Sequence, residues 1–260
     1  MFETVRNAFK IKDLRKKILY TFMVLIVVRI GCQLPVPGVD ASVISEWFNE
    51  NNSLDFFNQL TGGSFSQMSI FALNITPYIT ASIILQLLTI AIPRLEELHK
   101  DGEEGRKKIG EYTRYLSVAL AVVESAAMAY GFGRSGYLTN GVSFTSIAVI
   151  VVSLTTGASF LMWLGEQVTE KGVGNGISII LLYNIVSRMP EDMMTLFEKF
   201  VSGASNVTNG LLAAIVIIAV IIATVVFIII LSDGERRINV QYSKKTQGRK
   251  LVGGQSSHIP

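Results

Sequence analysis

Apolar residues along this chain come in long blocks rather than at a period of two or of 3.6 residues. A helix needs roughly 20 apolar residues to cross a bilayer core about 30 Å thick, with about 17 as the working minimum. Six segments reach or approach that length: Ile18–Leu34, Pro77–Pro93, Tyr115–Phe132, Ser146–Leu164, Gly176–Pro190 and Leu211–Leu231. Leu211–Leu231 is the cleanest, with Thr224 as its only polar residue. Gly176–Pro190 is short and carries Asn184 and Arg188, so it needs protein neighbours to shield it. The pattern predicts an all-α polytopic membrane helix bundle of six spans.

Several connections are more than linkers. Pro35–Asn74 runs for 40 residues without a Lys or Arg. Within it Leu54–Leu60 is mostly apolar, Thr61-Gly62-Gly63-Ser64 breaks the chain, and Met68–Leu73 is apolar again. Neither piece is long enough to span, which leaves a re-entrant segment or an amphipathic loop lying on headgroups. Pro77 suits the first turn of a helix. Ile75 and Ile79, four apart, then share a face, as a narrow apolar constriction or as ordinary helix packing. Lys171-Gly172-Val173-Gly174-Asn175-Gly176 lacks the preceding strand and the Gly-Lys-Ser/Thr ending of a phosphate loop, so it reads as a tight turn. Arg236–Ser243 alternates polar and apolar residues as a strand does. Lys244–Lys250 follows as a basic turn, and Leu251–Ser257 as a returning strand. The mixed-charge stretch Lys100–Lys108 reads as a solvated hairpin.

Composition agrees with a membrane location. Of 260 residues, 50% are hydrophobic and 17% charged, against about 25% charged in ordinary soluble domains. Placement of the cations sets the orientation, because basic residues stay on the cytoplasmic side. Nineteen of the 23 Lys and Arg fall before the first span, in the second-to-third and fourth-to-fifth connections, and after the sixth span. Only Arg134, Arg188 and Lys199 fall on the opposite side, so both ends are expected in the cytoplasm. The N-terminus lacks a small-x-small processing site, and the first helix itself is expected to direct insertion. One cysteine, Cys32, and two histidines exclude an internal disulfide and a Cys/His metal cluster. No nucleotide loop, nucleophile elbow or zinc-protease motif occurs, so neither an enzyme nor a cofactor is expected. Two ionisable residues fall within spans. Arg29 has a stem long enough to snorkel, and Glu124, mid-span, is expected to face a polar interior rather than lipid.

These stretches together resemble the SecY family, the central subunits of the bacterial protein-conducting channel. Arg29-Ile30-Gly31 with Pro35-Val36-Pro37-Gly38 carries the likeness, as do Ser69–Leu73 with Pro77–Ile84 and Gly105–Ile109 with Tyr112–Tyr115. Phe160–Gln167 with Gly174–Ser178 is the longest run, and Arg236–Ile238 with Gln247–Arg249 and Gln255–Pro260 completes it. The resemblance implies a pore for unfolded preproteins that also releases apolar segments into the bacterial cytoplasmic membrane. It places a plug at about residues 54–70, with Phe57, Leu60, Gly62, Gly63, Phe65 and Met68. A hydrophobic pore ring falls on Ile75, Ile79 and Leu181, and a lateral gate on Thr80 and Gln86. Docking surfaces for the ribosome and the SecA motor fall on Arg106, Lys107, Lys108, Arg236, Arg237, Lys244, Lys245, Arg249 and Lys250. SecE and SecG subunits and membrane lipids are the further partners it implies.

The domains read as a cytoplasmic N-terminus (1–17), five spans with the plug (18–190), an external loop with the sixth span (191–232), and a basic hairpin (233–260). The family has ten spans in two inverted halves. On that comparison this chain reads as truncated after six, and it is expected not to form a sealed, conducting channel alone. Two other classes remain open at this point. A secondary transporter needs a charged or carbonyl-lined site near the midplane, for which only Glu124 offers a group, and a membrane docking scaffold keeps the basic hairpin without a pore.

Overall fold

The computed structural model describes residues 10–50, 55–139, 141–202, 207–235, 238–240, 245–247, 250–252 and 257–259. Two compact units divide it, Met1–Glu191 and Asp192–Pro260. The first contains helices α1 (Lys12–Cys32), α2 (Ala41–Glu50), α3 (Asp55–Leu60), α4 (Thr76–Ala91), α5 (Pro93–Lys100), α6 (Glu103–Arg134) and α7 (Phe144–Lys171). Helix α8 (Gly176–Phe197) begins in it. The second holds a π-helical turn (Glu198–Ser202), α9 (Val207–Ser232) and four three-residue strands, β1 (Ile238–Val240), β2 (Lys245–Gln247), β3 (Lys250–Val252) and β4 (Ser257–Ile259). Each of the six predicted spans is a helix.

Among the described residues α6, α7 and Gly210–Ser232 are long and apolar enough to cross a membrane, and α4 with α5 qualifies as a bent pair. Charges keep the other two out of that class: Arg15, Lys16, Lys17 and Arg29 in α1, and Arg188, Glu191 and Asp192 in α8. Helix α8 also runs past Pro190 to Phe197, where the sequence pattern had ended the span. The expected charged hairpin at 100–108 is a turn at Asp101 and Gly102 between two helix ends. Pro93 forces Ile92 into an extended conformation (φ −112°, ψ 113°), and the chain turns by 103° between α4 and α5. Gly102 (φ +73°) reverses it again, and α6 starts at Glu103, three turns before the predicted span, with two glutamates in its first turn. Asp40 caps α2: the Ser42 hydroxyl and backbone N–H both donate to its carboxylate, holding its pKa below the ordinary carboxylate range.

On α6 packing uses small residues. The buried face of α6 reads Thr113, Ser117, Ala121, Ser125, Ala129 and Gly133, one residue every four. Such faces let membrane helices approach closely. On α7 the buried face includes Ile150, Leu154, Gly157, Leu161, Gly165 and Val168. Ser125 and Thr155 exchange a hydroxyl hydrogen bond of 3.1 Å, while Arg114 and Glu166 form an ion pair joining the two helices. The glycine-rich turn before α8 does what tight packing requires. A Cβ on Gly176 would overlap the Gly165 carbonyl oxygen, Gly174 is left-handed (φ +68°), and the Asn175 side chain accepts from Ile177 and Ser178 N–H.

In the second unit β1 pairs antiparallel with β4, and β2 with β3, so one short hairpin closes inside another. The strand expected at 236–243 is present at its centre. Its partner is 257–259 rather than 251–257, because Lys250–Val252 is taken by Lys245–Gln247.

Glycine positions in α6, α7 and the start of α8 give a direct test of this packing. Gly157→Ala and Gly176→Ala are expected to lower thermal stability in detergent by about 1–3 kcal/mol through overpacking. Gly110→Ala and Gly131→Ala, whose Cβ atoms meet nothing within 4 Å, should be neutral or stabilising by up to about 1 kcal/mol.

Candidate functional site

The segment between α3 and α4 is neither helix nor strand, yet it is buried. Gly62, Gly63, Ser64, Met68, Ser69 and Phe71–Ile75 are all inside the first unit. Irregular backbone is tolerated at membrane depth only when its polar groups are satisfied within the protein. That condition is met group by group. Every backbone N–H from Thr61 to Ala72 has an acceptor. Most are carbonyls three to five residues back in successive turns, such as Gly63 N–H to Asn58 O (2.9 Å) and Ser69 N–H to Ser64 O (2.9 Å). Side chains take three of them: Thr61 Oγ1 accepts from Phe65, Asn58 Oδ1 from Ser66, and Ser69 Oγ from Phe71. A one-residue bridge to the end of α1 completes the set, with Val36 N–H donating to Met68 O (2.8 Å) and Ile70 N–H to Leu34 O (2.9 Å).

Three helices hold this segment. A Cβ on Gly31 of α1 would overlap the Phe71 ring, and one on Gly157 of α7 would overlap the Ile70 carbonyl oxygen. These two glycines form the seat. On the third side α8 supplies polar contacts. Gly62 (φ +66°) lies so close to α8 that an added Cβ would meet the Asn184 carbonyl at 2.9 Å. Arg29 Nη1 donates to Gly62 O (3.1 Å) and reaches Ser187 Oγ (3.4 Å), whose hydroxyl donates to Asn184 O (2.7 Å). Asn184 Nδ2 donates to Asn74 Oδ1 (3.1 Å), and Asn74 Nδ2 to Leu60 O (2.9 Å). Both asparagines are buried, and Asn74 takes a left-handed φ of +52° to do this. Arg29 therefore does not snorkel toward a headgroup. It closes a chain of polar contacts from α1 through the segment to α8.

Beyond Gln67 the same segment is held by apolar burial. Met68, Ala72 and Leu73 belong to a core with Val36, Ile44, Ile150 and Leu154. Phe71 and Ile75 belong to a second core with Val28, Leu161, Val168 and Ile180.

The predicted site residues fall as follows. Phe57 is exposed, Leu60 and Phe65 are half-buried, Gly62 and Gly63 are buried, and Met68 is sealed in the core. Ile75 is also sealed (1% exposed), while Ile79, one turn on, packs half-buried against the same cluster. Leu181 is half-buried and its neighbour Ile180 fully so. The structure thus brings Ile75 and Ile79 into one cluster, with Leu181 beside it in sequence. Thr80 is half-buried, donating to Thr76 O (3.0 Å), and Gln86 is exposed. Arg106, Lys107 and Lys108 are exposed on the first turns of α6. Lys245 and Lys250 open β2 and β3, whereas Arg236, Arg237, Lys244 and Arg249 lie outside the described residues. Glu124 lines a cavity of about 350 Å³ against the segment. Sequence reasoning passed over Gly31, Gly157, Asn58, Asn74 and Ser187. The available signal was polar residues, Asn74 and Asn184, standing in otherwise apolar stretches.

Comparison with known proteins bears on this arrangement. The SecY family model matches residues 69–260. The chain belongs to the SecY family. It is 43% identical over 254 residues to the protein translocase subunit SecY of Escherichia coli K12, covering 95% of this chain and 56% of that relative. The chain therefore spans little more than half the relative's length. A solved protein-conducting channel superposes with a TM-score of 0.54 at 19% identity, over 94% of this chain and 52% of that one. Sec61 in the canine ribosome-channel complex from the endoplasmic reticulum does so with the same score and identity, over 87% and 49%. Both share the fold. As a SecY-family chain this is a multi-pass membrane protein with an all-α bundle. The unwound backbone is satisfied by its own turns, and Glu124 makes no hydrogen bond or ion pair with it among the described residues, so the carrier alternative gains no support.

The polar contacts predict a local rather than a global effect. Arg29→Met combined with Asn184→Leu removes hydrogen bonds worth about 0.6 kcal/mol each within a membrane. Amide hydrogen exchange at Gly62–Phe65 should rise severalfold while Val36 and Ile70, tied by the bridge to α1, stay protected.

Proposed function

We propose that this chain supplies the pore-forming portion of a SecY protein-conducting channel in the bacterial cytoplasmic membrane, passing unfolded preproteins across and apolar segments sideways into lipid. The observation that carries the reading is the largely buried segment 61–75, in which every backbone N–H from Thr61 to Ala72 has an acceptor. A structure of this kind, seated against helices by glycines and polar contacts, can leave its place without unravelling a helix. The two modes of attachment divide it. Residues 57–66, held chiefly by hydrogen bonds, form the displaceable plug, and Met68–Ile75, held chiefly by two apolar cores, form its anchor. The left-handed Met68 (φ +44°) marks the boundary.

In this reading Ile79 and Leu181 present the apolar constriction. Ile75 backs it from within the cluster that contains Phe71. Branched aliphatic side chains at a narrow point exclude ions by dewetting and part for an extended chain. Thr80 and Gln86 follow on α4 toward the lateral opening. The excess of Lys and Arg places the N-terminus and the exposed Arg106–Lys108 in the cytoplasm, together with Arg236, Arg237, Lys244, Lys245, Arg249 and Lys250. Basic residues of this kind suit rRNA phosphates and acidic faces of the SecA motor, with the ribosome or SecA supplying the energy. Ribosome docking is supported by the likeness to Sec61 in the canine ribosome-channel complex. SecE and SecG complete the assembly in this proposal.

The test uses the full-length protein with its partner subunits in proteoliposomes. Deleting residues 57–66 is expected to raise resting ion leak while preprotein transport persists. An unchanged leak overturns the plug assignment, and absence of preprotein transport by the unaltered protein overturns the function. Reversing Arg106, Lys107 and Lys108 to Glu should weaken ribosome binding by about an order of magnitude or more and flatten its salt dependence.

A further inference from the structure

We propose that one water molecule, bound where the start of α4 meets α6 and α7, accepts the Ile75 N–H and ties the end of the buried segment to both long helices. The amides around it are accounted for one by one. Asn74, Thr76 and Tyr78 donate to the carbonyls of Phe71 (2.9 Å), Leu73 (3.3 Å) and Ile75 (3.0 Å), and Pro77 has no N–H. The Ile75 N–H has no acceptor among the described residues, although Ile75 is only 1% exposed. A buried backbone donor without any partner is rare, and an ordered water is a common remedy.

Ile75 borders a small cavity that Asn74, Ser117, Ala121, Ser159 and Met162 also line. Its volume is about 10 Å³, counted as the space open to a water-sized sphere, and roughly 10–15 Å³ on that measure admits a single water. Dry cavities are walled by hydrocarbon, whereas this one has two hydroxyls. The Ser117 hydroxyl donates to Arg114 O (2.8 Å), with Met162 Sδ at 3.2 Å, and the Ser159 hydroxyl to Thr155 O (2.8 Å). Both protons are thus engaged, but each oxygen keeps its capacity to accept. Asn74 is already committed, to Asn184 and to Leu60 O. A water that accepts from Ile75 N–H and donates to Ser117 Oγ and Ser159 Oγ makes three hydrogen bonds, about the usual number for a buried water. Among the described residues no direct hydrogen bond joins residues 74–78 to α6 or α7, while α8 is reached directly through Asn184. The water is therefore the polar link on that side, and its presence does not depend on the translocation reading.

The test is a structure of the full-length protein with its partner subunits, at a resolution that shows interior waters. Density is expected about 2.7–3.2 Å from Ile75 N, Ser117 Oγ and Ser159 Oγ, and it should be lost in the double variant Ser117→Ala with Ser159→Ala. Thermal melting of the same proteins in detergent gives a second readout. Each single substitution should lower Tm, and the losses should be strongly non-additive, because whichever hydroxyl is removed first releases the water. The double variant is expected to melt close to the less stable single variant. No density at this position in a map that shows other interior waters overturns the proposal. Density of full strength in the double variant, or additive losses in Tm, overturns it as well.

Discussion

A buried stretch of backbone without regular structure must find partners for its own amides, and everything distinctive in this bundle follows from how that is done. From Thr61 to Ala72 each N–H is spent on a nearby carbonyl, on one of three side-chain oxygens, or on the strand-like end of α1. Had two or three of these groups been left bare in the bilayer, the cost would be several kcal/mol each. The segment would then be driven to the surface, and the helices around it would close up. Because it is self-satisfied, it sits in the middle of the first unit, where two apolar cores meet on either side of Ile70.

The neighbouring helices are shaped by that occupant. Gly31 and Gly157 are required at points where an ordinary side chain would collide with Phe71 and Ile70, and α8 carries Asn184 and Ser187 where lipid-facing chemistry would call for aliphatics. Asparagine in a span is tolerated here since its side chain meets the buried Asn74 and its carbonyl accepts from the half-buried Ser187. The arrangement is uneven along the segment, with hydrogen bonds prevailing before Gln67 and hydrocarbon burial after it. Hydrogen bonds between membrane residues are individually weak, whereas dense apolar packing resists stepwise opening. The two ends of one short stretch therefore differ in how readily they let go.

Much of this was legible in the residue pattern. Blocks of Ile, Val and Leu separated by charged stretches mark six helices, because desolvating a helix in lipid depends on local composition. Irregular structure at 61–73 was legible as one of two alternatives, since two apolar pieces around Gly62-Gly63 are each too short to span. What the letters did not carry is reciprocity. Gly157 looks like any glycine in a span until Ile70, 87 positions earlier, is placed against it, and Asn74 gives no sign that it will meet Asn184. Helix ends were misjudged wherever polar residues continue a helix beyond the apolar block, as at Glu103–Arg114 and Pro190–Phe197, because membrane-spanning length and helix length are set by different forces.

The corner at Ile92–Pro93 has a mechanical meaning. Helix α5 leaves α4 at 103° and is locked to the start of α6, where Gly105 lets the Leu98 carbonyl come into contact. The exposed Arg106, Lys107 and Lys108 thus sit at the tip of a short crank. A body that gripped those three cations would pull first on α6 and, through its contact with α5, would turn α4, the helix that carries Ile79 and Thr80, rather than draw it lengthwise.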